Sequence, residues 1–172
     1  MKSKKSRVLV VGLGNPDLGD GGVGWKVAEE VKRNLPAGLP VDVECLSLGG
    51  ISLMEHLIGY CCAILIDAFA LEEPVGSILM LKLDDLPHYS AFHTTSGHDT
   101  PLKTAIEMGR TMGAQLPDDV TVVGIVTRHV TGFSKSLSPP VEQAVPQAAK
   151  FVLDLLSEKV RVLRKLPYLT SP

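Results

Sequence analysis

Three places in the 172-residue chain hold residues whose types and spacing could do chemistry. The first is the loop GLGNPDLGDGGVG, Gly12–Gly24, where glycines surround Asn15, Asp17 and Asp20. Glycine there lets a backbone turn approach another group closely. The second is Asp67, which closes the apolar run AILID. The third is the segment 87–100, with His88, His93 and His98, three of the five histidines. Paired carboxylates such as Asp20 and Asp67 can serve hydrolysis as general acid and base. Ser96 and His98 are two positions apart, but no nucleophile elbow or third partner accompanies them. A dinucleotide site is a poor fit for the first loop. The third glycine of that fingerprint is missing, Pro16 removes an amide donor, and Asp17 and Asp20 repel a pyrophosphate.

Several other residues have simpler readings. Asp20 can cap the following helix as readily as it can bind a ligand. Asp99 and Thr100 precede Pro101 and read as cap residues. His56 falls on a helix surface, and His88, His93 and His129 on loops. Cys61 and Cys62 could bind a soft metal, but adjacent residues of a strand point to opposite faces, which favours core packing. Trp25 either packs under the first loop or faces a partner.

The elements that must position these groups alternate strand and helix. Val8–Val11, Val41–Leu46, Ala63–Ala68, Ser77–Leu83 and Val120–Val126 are short, apolar and β-branched, which predicts five strands. Gly22–Leu35 predicts a helix, with Val23, Val27, Val31 and Leu35 four apart. Ile51–Ile58 predicts a second, after Gly49 and Gly50. A third runs from Pro101 to about Met112, with Thr100 as N-cap. A fourth opens at Pro139, with Pro146 inside it as an expected kink. The pattern predicts one α/β domain, a three-layer α/β/α sandwich on a mostly parallel five-stranded sheet. Ligands of such sheets bind beyond the carboxyl ends of the strands, where all three candidate segments lie.

Composition narrows the function further. A hydrophobic fraction of 45% and a charged fraction of 21% are ordinary globular values and exclude a disordered chain. Lys+Arg of 17 against Asp+Glu of 19 gives no field for nucleic acid or an anionic membrane. Asp67 breaks the central apolar run, so no membrane span is expected. The apolar run after the basic start is too short for a signal peptide. Three cysteines, an odd count with two adjacent, suit a reduced, cytoplasmic protein.

GLGNP also opens peptidyl-tRNA hydrolases, but the next stretch, GDGGVGW, lacks that family's Arg-His-Asn. A fuller resemblance is to the hydrogenase maturation endopeptidases, which trim the C-terminus of nickel-hydrogenase large subunits. Gly12–Gly24 resembles their G-x-G-N loop. LGGISLMEHL is similar to the entry to their second helix, and ILIDAFALEEPVGSI to their strand–Asp–Ala–loop segment. TSGHDTPLKTA resembles their Ser-x-His helix opening, VVGIVTRHV their penultimate strand, and SPPVEQAVPQAAKFVLDLL their last helix. The motifs cover nearly the whole chain in order.

The resemblance implies an aspartic-type endopeptidase whose partner is a hydrogenase large-subunit precursor. The implied metal is nickel, delivered by that substrate rather than held permanently. A first-loop acid, the Asp after strand three and the His of Ser-x-His would hold it. Imidazole and carboxylates suit such an ion, and an open side leaves room for the substrate's own ligands. By position, Asp67 and His98 match. The first-loop acid does not: the second residue of the family's acidic pair stands here at Gly21, and Asp20 matches only the first. Asp20 takes over the role, or Asp17, Asp99 or His93 replaces it, or metal recognition is lost. Gly14, Asn15, Gly21, Gly49 and Gly50 are the candidate substrate contacts. The alternatives are a degenerate, non-catalytic member that binds a metalloprotein precursor, and an unrelated hydrolase on the same scaffold.

Overall fold

The computed structural model describes residues 6–86, 88–89, 100–128 and 133–165. His93, Ser96, His98, Asp99 and His129 lie outside the described residues. The strands are β1 (Val8–Leu13), β2 (Val41–Leu46), β3 (Cys62–Ala70), β4 (Ile78–Lys82) and β5 (Asp119–Thr127). The α-helices are α1 (Val23–Asn34), α2 (Gly50–Leu57), α3 (Leu102–Thr111) and α4 (Pro139–Leu163). The predicted elements are all present, with ends shifted by a residue or two.

The sheet order is β2-β1-β3-β5-β4. β1, β2, β3 and β5 run parallel, and β4 pairs antiparallel with β5. The reversal of β4 follows from its connection. A parallel neighbour needs a crossover of a dozen or more residues, and the stretch from β3 to β4 contains no helix.

Strand alternation sends side chains to two separate cores. Val8, Val10, Ile64 and Ile66 pack with α1 and α4, while Leu9, Val11, Ala63 and Leu65 pack with α2 and α3. The three layers are therefore α1 and α4, the sheet, and α2 and α3. Both faces are covered, which is why the strands read as continuous apolar runs.

Two glycines fix the distance between the first helix and the sheet. A Cβ at Gly12 would meet the Gly24 carbonyl oxygen at 2.4 Å. A Cβ at Gly24 would meet the carbonyl oxygens of Leu13 at 2.1 Å and Ile66 at 2.4 Å. The start of α1 thus rests directly on the carboxyl ends of β1 and β3, beside Asp67.

Two local expectations are corrected, at Thr100 and at the cysteine pair. Thr100 is not the N-cap of α3: Pro101 holds that position with extended ψ of 136°, and no side chain caps the helix. The Leu102 N–H instead donates to the Tyr89 carbonyl at 2.6 Å. α4 continues through Pro146 as one helix. Cys61 and Cys62 do not diverge to opposite faces. β3 starts at Cys62, Cys61 lies just before it, and the two sulfurs are 3.7 Å apart.

Gly24→Ala forces its new methyl group against two backbone carbonyls with no side chain to yield. It is expected to lose about 3 kcal/mol, the upper end of overpacking penalties. Urea denaturation checks this as a fall in the transition midpoint.

Candidate functional site

The site grows from the point where β1 stops and β3 goes on. β1 pairs with β3 only as far as Gly12 opposite Ile66, whereas β3 pairs with β5 through Ala70 opposite Thr127. Asp67 is the next residue after the last β1 pairing. It therefore lies inside β3, three residues before the end of the strand, and not at the strand end expected from sequence. β1 connects through α1 to β2 on one side, and β2 connects through α2 to β3 on the other. This makes the β1/β3 boundary the topological switch point, where open α/β sheets form their ligand crevice.

Asp67 is fully buried, at 0% exposure. A buried carboxylate must be hydrogen bonded to remain there. Its Oδ1 accepts from the Ala68 N–H at 2.9 Å, and its Oδ2 accepts from the Tyr89 hydroxyl at 3.0 Å. The Tyr89 ring stacks on Phe69 with centroids 5.8 Å apart and planes within 7°. Burial, reinforced by the Asp67 charge, pushes the Tyr89 hydroxyl well above its usual range. It stays protonated and keeps donating. Strand alternation puts Asp67 on the same face as Leu65 and Phe69, which is the face covered by α2 and α3. α3 begins four residues after His98 in sequence.

The first loop is held from both sides. The Ser47 hydroxyl donates to the Gly14 carbonyl at 2.6 Å, and the Gly14 N–H donates to Leu46 at 3.2 Å. The Trp25 indole N–H also donates to the Leu46 carbonyl, at 3.1 Å. The Asn15 side chain accepts from the Asp17 N–H at 2.9 Å, and the Asn15 N–H donates to Gly21 at 3.1 Å. On the far side, Gly19 N–H donates to Ser134 at 2.6 Å and Ser134 N–H to Asp17 at 2.9 Å.

Asp20 belongs to a short 3-10 turn, Gly19–Gly22, and it does not cap α1, whose N-cap Gly22 has no side-chain bond. Its carboxylate accepts from Ser138 twice, from the backbone N–H at 2.6 Å and the hydroxyl at 2.8 Å. Ser138 is the N-cap of α4. Asp20 therefore joins the first loop to the α1/α4 layer, while Asp67 addresses the α2/α3 layer. Gly21 is half-buried, and a Cβ there would meet only the Leu18 Cβ, at 3.3 Å. A Cβ at position 21 therefore needs Leu18 to give by only a few tenths of an ångström. Gly49 and Gly50 are buried at the start of α2, where Gly50 has φ of 49°. Asp17 is exposed. Beyond β3 and β5 an open groove of about 700 Å³ is lined by Leu71, Glu72, Glu73, Pro74, Thr127 and Arg128, among others.

Among the described residues no three His, Cys, Asp or Glu side chains converge to hold a metal ion. Asp67 is the member of the expected trio with a buried, oriented carboxylate. Sequence reading missed Tyr89 and Ser138. Tyr89 stood in a stretch read as polar loop. The signal that could have found it is its ring, which needs burial. Ser138 carried no signal, because its partner is 118 residues away.

A sequence model described as hydrogenase maturation protease matches residues 25–155. The chain belongs to the hydrogenase maturation protease family. It is 27% identical over 155 residues to the hydrogenase 2 maturation protease of Escherichia coli strain K12, covering 88% of this chain and 92% of that one. It is 25% identical over 154 residues to the hydrogenase expression/formation protein HoxM of Azotobacter vinelandii, covering 88% and 73%. Among solved structures it resembles the hydrogenase maturating endopeptidase HybD from E. coli, with a TM-score of 0.70, 26% identity, and 89% and 93% coverage. It also resembles the hydrogenase 2 maturation peptidase of a Thaumarchaeota archaeon, with a TM-score of 0.63, 28% identity, and 88% and 98% coverage. Like these relatives, this maturation protease is a peptidase on a five-stranded, mostly parallel α/β sheet. No helix among its described residues is long and apolar enough to cross a membrane.

Tyr89→Phe removes one donor from a buried carboxylate. The maturation protease is expected to lose about 2 kcal/mol, the usual worth of a hydrogen bond to a charged group. Urea denaturation measures the loss, and an unchanged midpoint would show that Tyr89 does not hold Asp67 in solution.

Proposed function

We propose that this maturation protease removes the C-terminal extension of a nickel-loaded hydrogenase large-subunit precursor. The observation that carries the reading is the buried Asp67 carboxylate at the β1/β3 switch point, oriented by Ala68 and Tyr89. A carboxylate held in fixed geometry without solvent around it meets a cation at little reorganisation. The substrate's nickel would be met by Asp67 and by His98, four residues before α3 in sequence, with other positions filled by the precursor's own ligands. A bound divalent ion polarises a carbonyl or activates water. The chain's own part is to seat the peptide. Gly14, Asn15, Gly21, Gly49 and Gly50 border the crevice with backbone that admits a peptide closely, and the groove beside Thr127 and Arg128 receives the extension.

Asp20 serves this reading as a brace. Its carboxylate holds Ser138 and with it the start of α4, so the first loop keeps its shape. A second reading has support from the same observation. With Asp20 committed to Ser138 and glycine at position 21, the first loop has no acid at the family's position and the neighbouring one is engaged, as in a non-catalytic member that binds a metalloprotein precursor. Reaction in the cytoplasm fits either reading.

Mass spectrometry of nickel-loaded and nickel-free precursor, incubated with the protein, tests the proposal. The expected result is loss of a defined C-terminal peptide from the loaded precursor alone, abolished by Asp67→Ala and by His98→Ala. Cleavage that ignores both substitutions contradicts it. A wild-type protein that leaves the loaded precursor intact, beside a Gly21→Asp variant that cleaves it, establishes the non-catalytic reading.

A further inference from the structure

At the opposite end of the sheet, five residues before Asp67 on β3, lies a second reactive cluster. Five strand residues span roughly 16 Å, so it is separate from the crevice. Cys61 is half-buried and Cys62 is buried. The Cys61 thiol donates to the Arg7 carbonyl at 2.9 Å, and its sulfur is 3.7 Å from that of Cys62. Both line a cavity of about 320 Å³ between the start of the sheet and the end of α4, with Asp119, Glu158, Lys159 and Leu163.

We propose that Cys61 and Cys62 form a dithiol site that chelates one soft, thiophilic metal ion. The geometry supports chelation. With metal–sulfur bonds of about 2.3 Å, the edge of a tetrahedral thiolate site is about 3.8 Å, and the sulfurs are already at that separation. A disulfide between them is a poor alternative. Consecutive Cα atoms are about 3.8 Å apart across a trans peptide, short of the 4.4 Å or more that disulfides usually span.

The electrostatics agree. The Cys62 thiol hydrogen bonds to the Cys61 sulfur and brings the Cys61 group down to about 7. The same bond, together with burial, pushes Cys62 the other way. Two thiolates this close repel, so the pair gives up one proton readily and resists losing the second. A cation between the sulfurs removes that repulsion. Binding then exchanges two thiol protons, released to solvent, for two metal–sulfur bonds, with no change of oxidation state. Thiolates select soft ions over the hard divalent class. Lys159 donates to Asp119 and Arg7 pairs with Asp42, so the neighbouring cations are already neutralised. The remaining coordination positions open on the cavity, beside Asp119 and Glu158.

The test adds cadmium ion alone to the full-length, reduced protein. One equivalent is expected to bind and produce a cadmium–thiolate absorption band. The band is expected to vanish in Cys61→Ser and in Cys62→Ser and to persist in Cys45→Ser. In the unsubstituted protein, cadmium is expected to shield Cys61 and Cys62, but not Cys45, from iodoacetamide, as mapped by peptide mass spectrometry. This second arm needs no variant to fold. Absence of the band, its survival in the Cys61→Ser/Cys62→Ser double variant, or unchanged alkylation of the two thiols overturns the proposal.

Discussion

The structure turns on keeping one carboxylate out of water. Asp67 has no exposed surface, and a lone buried charge of this kind would cost several kcal/mol. The fold supplies what makes it tolerable. Ala68 gives a backbone donor, Tyr89 gives a hydroxyl, and Phe69 gives the ring on which Tyr89 lies. Gly124, opposite Asp67 on β5, leaves room for that ring, since a Cβ there would meet it at 2.9 Å. The start of α3 is tied to the same place through Tyr89, whose carbonyl receives the first N–H of the helix. A site that holds a cation-seeking group in fixed geometry is one that pre-organised electrostatics can use.

Around that carboxylate, the first loop is a rigid frame. It is fastened to the end of β2 and the next residue through Leu46 and Ser47, to the segment before α4 through Ser134, and to α4 through Asp20 and its N-cap Ser138. The close packing of Gly12 on Gly24 sets α1 against the sheet at the same level. The two acids of the loop and strand thus divide the work between layers, Asp20 securing the α1/α4 side and Asp67 facing the α2/α3 side.

The alternation of short β-branched runs with helical patterns was enough to predict the α/β sandwich, because parallel strands buried on both faces leave a continuous apolar signature. Asp67 was equally legible, being the one charge in the run Ala63–Ala68. What escaped depends on contacts distant in sequence. The direction of Asp20 is set by Ser138, and nothing local distinguishes a cap from a ligand. Tyr89 was obscured by the polar residues around it, although its ring had to find a buried surface. The divergence expected of Cys61 and Cys62 assumed that both lie in the strand, whereas β3 begins between them. Thr100 had the right residue type for a cap, but Pro101 took the position.

The central claim is that the Asp67 charge serves the reaction and not the fold alone. Asp67→Asn keeps the size and an acceptor oxygen for Tyr89 while removing the charge. The measurement is the rate at which this folded variant processes the nickel-loaded precursor, alongside its thermal midpoint. The account predicts a protein that melts below the unsubstituted one, because its amide nitrogen replaces the oxygen that accepts from Ala68, but that is folded at the assay temperature and does not cleave. Cleavage at the unsubstituted rate would contradict it.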